Sequence, residues 1–129
     1  MDKLIELIKL ARFVFVCGNG GSAATAEHFT NDLFSKGIKA ICLNSNTSIM
    51  TMIANDFGYE YVFSKQLELY ADNRDLLITI SCSGTSPNIV NAQKAKLTFY
   101  AFETFTKDRN YGVLEDKHLK FAHEVASKL

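Results

Sequence analysis

Short runs of β-branched and aromatic residues alternate along this chain with stretches whose apolar side chains recur at helical spacing. That alternation restricts the architecture more than any other feature. Residues 12–17 (Arg12, Phe13, Val14, Phe15, Val16, Cys17) and 76–80 (Leu76, Leu77, Ile78, Thr79, Ile80) are almost continuously apolar. Such runs belong to strands covered on both faces, as in a parallel sheet. Residues 40–43 form a shorter run of the same kind, and residues 98–102 offer a fourth. Helical spacing is read over residues 2–11, 23–36, 47–56, 61–70, 87–96 and 113–129, while residues 103–109 carry no clear pattern. The last helix has one apolar stripe of Leu114, Phe121, Ala122, Val125 and Leu129. Strands joined through helices predict parallel pairing and a three-layer α/β/α sandwich. A chain of 129 residues suffices for one domain with a sizeable core.

Charge narrows the partners. Fourteen basic residues balance fourteen acidic ones, so the chain lacks the positive field that holds proteins to nucleic acid, and none is expected. No apolar run approaches the length of a membrane span, so no membrane is expected either. The start is amphipathic and charged throughout, unlike a signal peptide. Cys17, Cys42 and Cys82 lie in or at the ends of apolar runs, at spacings that match no zinc motif. Reduced thiols in a cytoplasmic protein are the expectation.

Two loops carry candidate chemistry. Ser81-Cys82-Ser83-Gly84-Thr85-Ser86 places four hydroxyl side chains and a glycine between a buried strand and a helix start. Pro87, the one proline, suits the first helical turn, and Ser86 before it is a favoured N-cap. Such a loop aims free N–H groups and the positive end of a helix dipole at one spot, a phosphate seat. An ordinary capped turn has the same composition. Gly18-Asn19-Gly20-Gly21-Ser22 repeats this arrangement after the first strand. It matches neither the dinucleotide fingerprint, because Ala23 stands at the last glycine position, nor a Walker loop. Both loops are expected at the C-terminal edge of one sheet, where open α/β sheets bind ligands. A phosphorylated small molecule follows as the expected ligand.

His28 and Asp32 are four residues apart and share a helix face. Taken alone, they read as an ordinary solvated pair. Glu115 and His123 are eight apart on the last helix, about 12 Å by the helical rise. His118 lies near the apolar stripe and reads as a packing or interface histidine.

Four segments together resemble a known family. They are residues 17–24 with Ala26-Glu27-His28-Phe29, then Ile53-Ala54-Asn55-Asp56-Phe57-Gly58, then residues 80–88, and last residues 111–118. In this order they resemble the sugar isomerase (SIS) domain, and within it the phosphoheptose isomerases. The resemblance implies a flavodoxin-like parallel sheet and an aldose–ketose isomerase. Its substrate would be sedoheptulose 7-phosphate, converted to a heptose 7-phosphate for bacterial lipopolysaccharide or capsule. Ser81, Ser83 and Ser86 would hold the phosphate, with Ser22 and Cys82 beside them. Asn19, Gly20, Gly21, Asn55 and Asp56 would contact the sugar chain, and Glu115 would join the substrate site. One divalent metal, zinc in expectation, would be held by His28, Asp32, Glu115 and His123. Asp32 would move a proton between C1 and C2, and His123 would serve the substrate oxygen.

Two of these positions depart from the family pattern. Asp32 stands where glutamate is usual, and Glu115 where glutamine is usual. Family members assemble as tetramers, so a homo-oligomer binding a phosphorylated seven-carbon sugar is implied. The chain reads as one SIS domain over residues 1–129, abbreviated at its N-terminus and around residues 97–110. A competing expectation is a non-catalytic SIS module that binds a phosphosugar or a protein such as a replication initiator. Such a module has no need of all four ligand positions.

Overall fold

A computed structural model describes residues 1–105 and 109–129. The elements, in order, are α1 (Asp2–Leu10), β1 (Val14–Gly18), α2 (Gly21–Ser35), β2 (Ala40–Cys42) and α3 (Thr47–Asp56). A 3-10 turn at Tyr59–Tyr61 then leads to α4 (Ser64–Tyr70), β3 (Leu76–Ile80), α5 (Pro87–Gln93), β4 (Thr98–Ala101) and α6 (Tyr111–Ser127). The four strands are all parallel, in the order β2-β1-β3-β4. That order is shared with the first four strands of flavodoxin-like sheets.

The central strands divide their side chains by the two-residue period of a strand. Val14 and Val16 of β1, with Leu76, Ile78 and Ile80 of β3, pack under α1, α2 and α6. Phe15, Cys17 and Leu77 face the other way, against α3, α4 and α5. Every residue of β1 and β3 is buried, which explains why both read as unbroken apolar runs. The three-layer α/β/α sandwich expected from the alternation is therefore the fold. Among the described residues, no helix is long and apolar enough to cross a membrane. Cys17, Cys42 and Cys82 are buried and free, and burial raises the pKa of each thiol.

The expected boundaries shift where local chemistry intervenes. The helix expected over 61–70 divides into the 3-10 turn and α4. The helix expected over 87–96 ends at Gln93, and Lys94, Ala95 and Leu97 turn by short backbone bonds into β4. Asn110 accepts a hydrogen bond from Val113 N–H at 3.3 Å, so α6 begins at Tyr111 rather than at residue 113. The expected abbreviation around residues 97–110 includes residues 106–108, which lie outside the described residues.

At the N-terminal edge of the sheet, Asp75 ties β1 to β3. Its side chain is fully buried. Arg12 donates from Nε to Oδ1 at 2.9 Å and from Nη2 to Oδ2 at 2.7 Å, a bidentate pair. The amides of Phe13 and Asp72 donate to the same carboxylate at 3.1 and 2.8 Å. Burial alone would raise this carboxyl's pKa, but the Arg12 bonds and the two amides outweigh it and hold it below the usual value.

At the opposite edge, Gly18 ends β1 beside Ile80 of β3. A Cβ on Gly18 would lie 2.6 Å from the Ser22 carbonyl oxygen and 2.8 Å from that of Ile80. Both obstacles are backbone, so neither can swing aside.

Two outcomes follow from these ties. Because the native carboxyl of Asp75 titrates below its unfolded counterpart, its stabilisation is complete above the unfolded value, about pH 4. It is lost as the pH falls through the lower native value. Asp75→Asn should lower the unfolding free energy by about 3 kcal/mol at neutral pH. It should also flatten the acid limb, as read by urea titrations from pH 3 to 7. Gly18→Ala should cost about 2 kcal/mol by overpacking against backbone, measured as a lower urea midpoint.

Candidate functional site

Because Gly18 pairs with Ile80, the loops that follow β1 and β3 leave the sheet side by side. From β1 the chain passes through α2 on one face to β2, and from β3 through α5 on the other face to β4. The loops thus flank the topological switch point. Asn19 and Asn88 join them by a reciprocal amide pair, with Nδ2-to-Oδ1 distances of 2.9 and 2.8 Å. Tyr59 donates its hydroxyl to Asn19 Oδ1 at 3.0 Å. Asn44 clasps Gly18 in a second reciprocal pair, accepting from its N–H at 3.2 Å and donating to its carbonyl at 2.8 Å. Within the serine loop, Ser81 Oγ accepts from Gly84 N–H at 3.0 Å and Ser83 Oγ from Thr85 N–H at 3.2 Å.

Between the loops lies a cleft of about 110 Å³, walled by Asn19, Ser22, Ser81, Cys82, Ser83 and Ser86, with Tyr111 and Glu115 entering from α6. Whole-ligand pockets are several times larger, and this volume suits one compact polar group, such as a phosphate. Ser86 occupies the N-cap position of α5, yet its hydroxyl makes no capping bond and instead faces the cleft. Burial first, and then the nearby Glu115, push the pKa of the Cys82 thiol up against a Ser22 hydrogen bond. Gly20 is the N-cap of α2 and Gly21 its first residue. The Glu115 carboxyl lies directly over Gly21, where a Cβ would come within 2.6 Å of it. Asn55 and Asp56 stand apart at the exposed end of α3, bonded to each other at 3.0 Å, and do not wall the cleft. A larger hollow of about 650 Å³, lined in part by Leu67, Ala71, Asp72 and Leu97, lies near the N-terminal ends of β3 and β4, away from both loops.

Glu115 touches Gly21, and His123 touches His28. Since both contacts advance in the same sense, α2 and α6 run parallel. At the second contact His123 Nε2 lies 2.9 Å from His28 Nε2. Asp32 Oδ2 lies 3.5 Å from His28 Nε2 and 3.9 Å from His123 Nε2. That oxygen is buried and has no hydrogen-bond partner. The three donors fall within 4.8 Å of one another. Ligand atoms about 2.1 Å from a tetrahedral ion sit about 3.4 Å apart, a value that the three separations bracket. Two imidazoles and one carboxylate, with an orphaned oxygen among them, fit a divalent cation with room for a further ligand.

Of the four expected ligands, three therefore converge. Glu115 sits two turns back in the serine cleft because eight residues of helix carry it about 12 Å away. His118 is a buried packing histidine, with Nε2 2.6 Å from the Glu103 carbonyl oxygen and its ring edge-on to Phe102. Four residues that organise the site escaped the reading of the residues: Asn44, Tyr59, Asn88 and Tyr111. Asn88 had a signal, as a polar residue just inside a helix beside a hydroxyl-rich loop. Asn44 and Tyr111 acquire their partners only through sheet pairing and the entry angle of α6.

The sequence matches the model of the SIS domain family over residues 1–97. A phosphoheptose isomerase of Helicobacter pylori (strain P12) is 46% identical over 100 residues, covering 72% of this chain and 52% of that protein. Phosphoheptose isomerase 1 of Campylobacter jejuni is 43% identical over 99 residues, covering 72% and 53%. The chain spans about half the length of the curated relatives it matches. Among solved structures, a phosphoheptose isomerase from Neisseria gonorrhoeae superposes with a TM-score of 0.85 at 26% identity, over 98% of this chain and 81% of that one. One from Francisella tularensis gives 0.86 at 23% identity, over 98% and 82%, a likeness of fold. With the sheet order, the paired loops and the family match in agreement, the chain belongs to the SIS domain family.

Proposed function

We propose that this chain is an aldose–ketose isomerase of the phosphoheptose type, acting on sedoheptulose 7-phosphate. One observation carries the reading: the parallel α2 and α6 hold the serine cleft and the His28–Asp32–His123 cluster along one seam, about two helical turns apart. At about 1.5 Å a bond, an extended seven-carbon phosphate reaches about 10 Å from phosphorus to C1. A substrate anchored by its phosphate in the cleft would thus bring its carbonyl end to the cluster. The similarity to phosphoheptose isomerases supports the same substrate class.

In this reading Ser81, Ser83 and Ser86 hold the phosphate with their hydroxyls, and Ser22 and Cys82 complete the wall behind it. Asn19, fixed by Asn88, meets the first hydroxyls of the sugar, while Gly20 lets the chain approach the backbone and Gly21 makes room for the Glu115 carboxyl that faces the sugar. Asn55 and Asp56 contact the sugar beyond the cleft. Asp32 takes a proton from the carbon beside the carbonyl and returns it to the neighbouring carbon, through an enediolate. His123 gives and removes the proton on oxygen. His28, Asp32 and His123 would hold a divalent cation, zinc in the proposal, which when bound supplies polarisation of the carbonyl oxygen. Glu115 remains with the substrate rather than joining these ligands.

The biological setting follows as part of the proposal. The chain acts as one SIS domain over residues 1–129, in a cytoplasmic homotetramer that supplies heptose for a bacterial surface polysaccharide.

Metal analysis of the purified protein should find one divalent ion per chain, and His123→Ala should lose most of it. A metal-free wild type would overturn the ligand assignment. Asp32→Asn should lower kcat with sedoheptulose 7-phosphate by about 100-fold or more. Turnover equal to wild type would remove Asp32 from the role of base.

A further inference from the structure

We infer that Glu115 is a charge gate on the serine cleft, confining an anion to the serine end and favouring hydroxyl groups at the α2 end. The inference deepens the reading of the cleft as a phosphate seat and rests on it.

Glu115 reaches across from α6 and lays its carboxyl over Gly21, so close that a Cβ there would meet the carboxyl carbon and both oxygens at 2.6 Å. Gly21 opens a helix of fifteen residues, where the positive end of the dipole gathers, while the Ser22, Ala23 and Ala24 amides are already bonded to the Asn19 and Gly20 carbonyls. A carboxylate held at that point takes up the potential that would otherwise draw a second anion. Among the described residues, no lysine or arginine walls the cleft, so no cationic side chain there offsets the added charge. The attraction left for a phosphate comes from hydroxyls and amides alone, and the amides of Gly84 and Thr85 already bond Ser81 and Ser83. The raised pKa of Cys82 reflects the same negative field, after burial.

The size of the cleft makes the effect unavoidable. A space of about 110 Å³ is about 6 Å across, and two like charges that close repel enough to weaken binding by about tenfold or more. An ionised carboxylate only accepts hydrogen bonds, so it rewards hydroxyl donors at the same position. The ligand class that satisfies both ends is a sugar monophosphate with free hydroxyls on its chain. Sugar bisphosphates and sugar acids that place a second anion beside Glu115 are turned away.

Calorimetric titration with inorganic phosphate tests this on wild type, Glu115→Gln, Glu115→Ala and Ser81→Ala. Glu115→Gln keeps the shape and removes the charge. It should bind phosphate about tenfold or more tightly than wild type at low salt, with the gap narrowing at high salt through screening. If Glu115→Gln matches wild type while Ser81→Ala weakens binding, the gate is wrong and the phosphate seat stands. Tightening in Glu115→Ala but not in Glu115→Gln would mean bulk rather than charge, and would also overturn the gate. Absence of saturable phosphate binding in both wild type and Glu115→Gln would overturn the phosphate seat itself.

Discussion

The parallel pairing of β1 with β3 is the constraint on which the site depends. It sets Gly18 against Ile80, and it does so at a point where no side chain fits between β1, β3 and the start of α2. Two loops of similar composition, far apart in sequence, then emerge within hydrogen-bonding reach. The Asn19–Asn88 and Asn44–Gly18 amide pairs hold them there. At the other end of the same two strands, the buried Asp75 carboxylate gathers Arg12 and two backbone amides. The central pair is thus fixed at both ends, and both its faces are covered by apolar side chains.

From that base, α2 and α6 distribute the chemistry. Their parallel packing produces two contacts separated by two turns, one at Gly21 with Glu115 and the other at His28 with His123. Helical rise makes the separation nearly rigid, so the seam works as a ruler between an anion-sized cleft and a three-donor cluster. The Glu115 carboxylate is thereby directed to the start of α2 and kept from the cluster. The Asp32 carboxylate, on a shorter side chain, remains with the two histidines and keeps one buried oxygen without a partner.

Much of this was legible in the residues. The apolar runs at 12–17 and 76–80 announce strands covered on both faces, and β3 falls on the expected residues. The hydroxyl-rich loop, Pro87 at the first helical position, and the four-residue step from His28 to Asp32 could be read directly. Ser86 was legible as a position but not as a contact, because its hydroxyl turns to the cleft instead of capping α5. The end of α5 at Gln93 and the division of the 61–70 stretch were hidden, since propensity is weak against the packing that ends a short helix.

The sequence by itself determined the layers, the sheet's buried strands and the kinds of chemistry at two loops and two helices. Those are local properties, written in the period of apolar side chains and in the conformational range of glycine, proline and serine. The tertiary structure decided which of those residues meet. The convergence of His28, Asp32 and His123, the placement of Glu115 over Gly21, and the clasp of Asn19 by Asn88 all join residues about 70 to 95 positions apart. Spacing along one helix can bring His28 to Asp32, but only the angle and sense of packing between two helices can say which turn of α6 stands opposite.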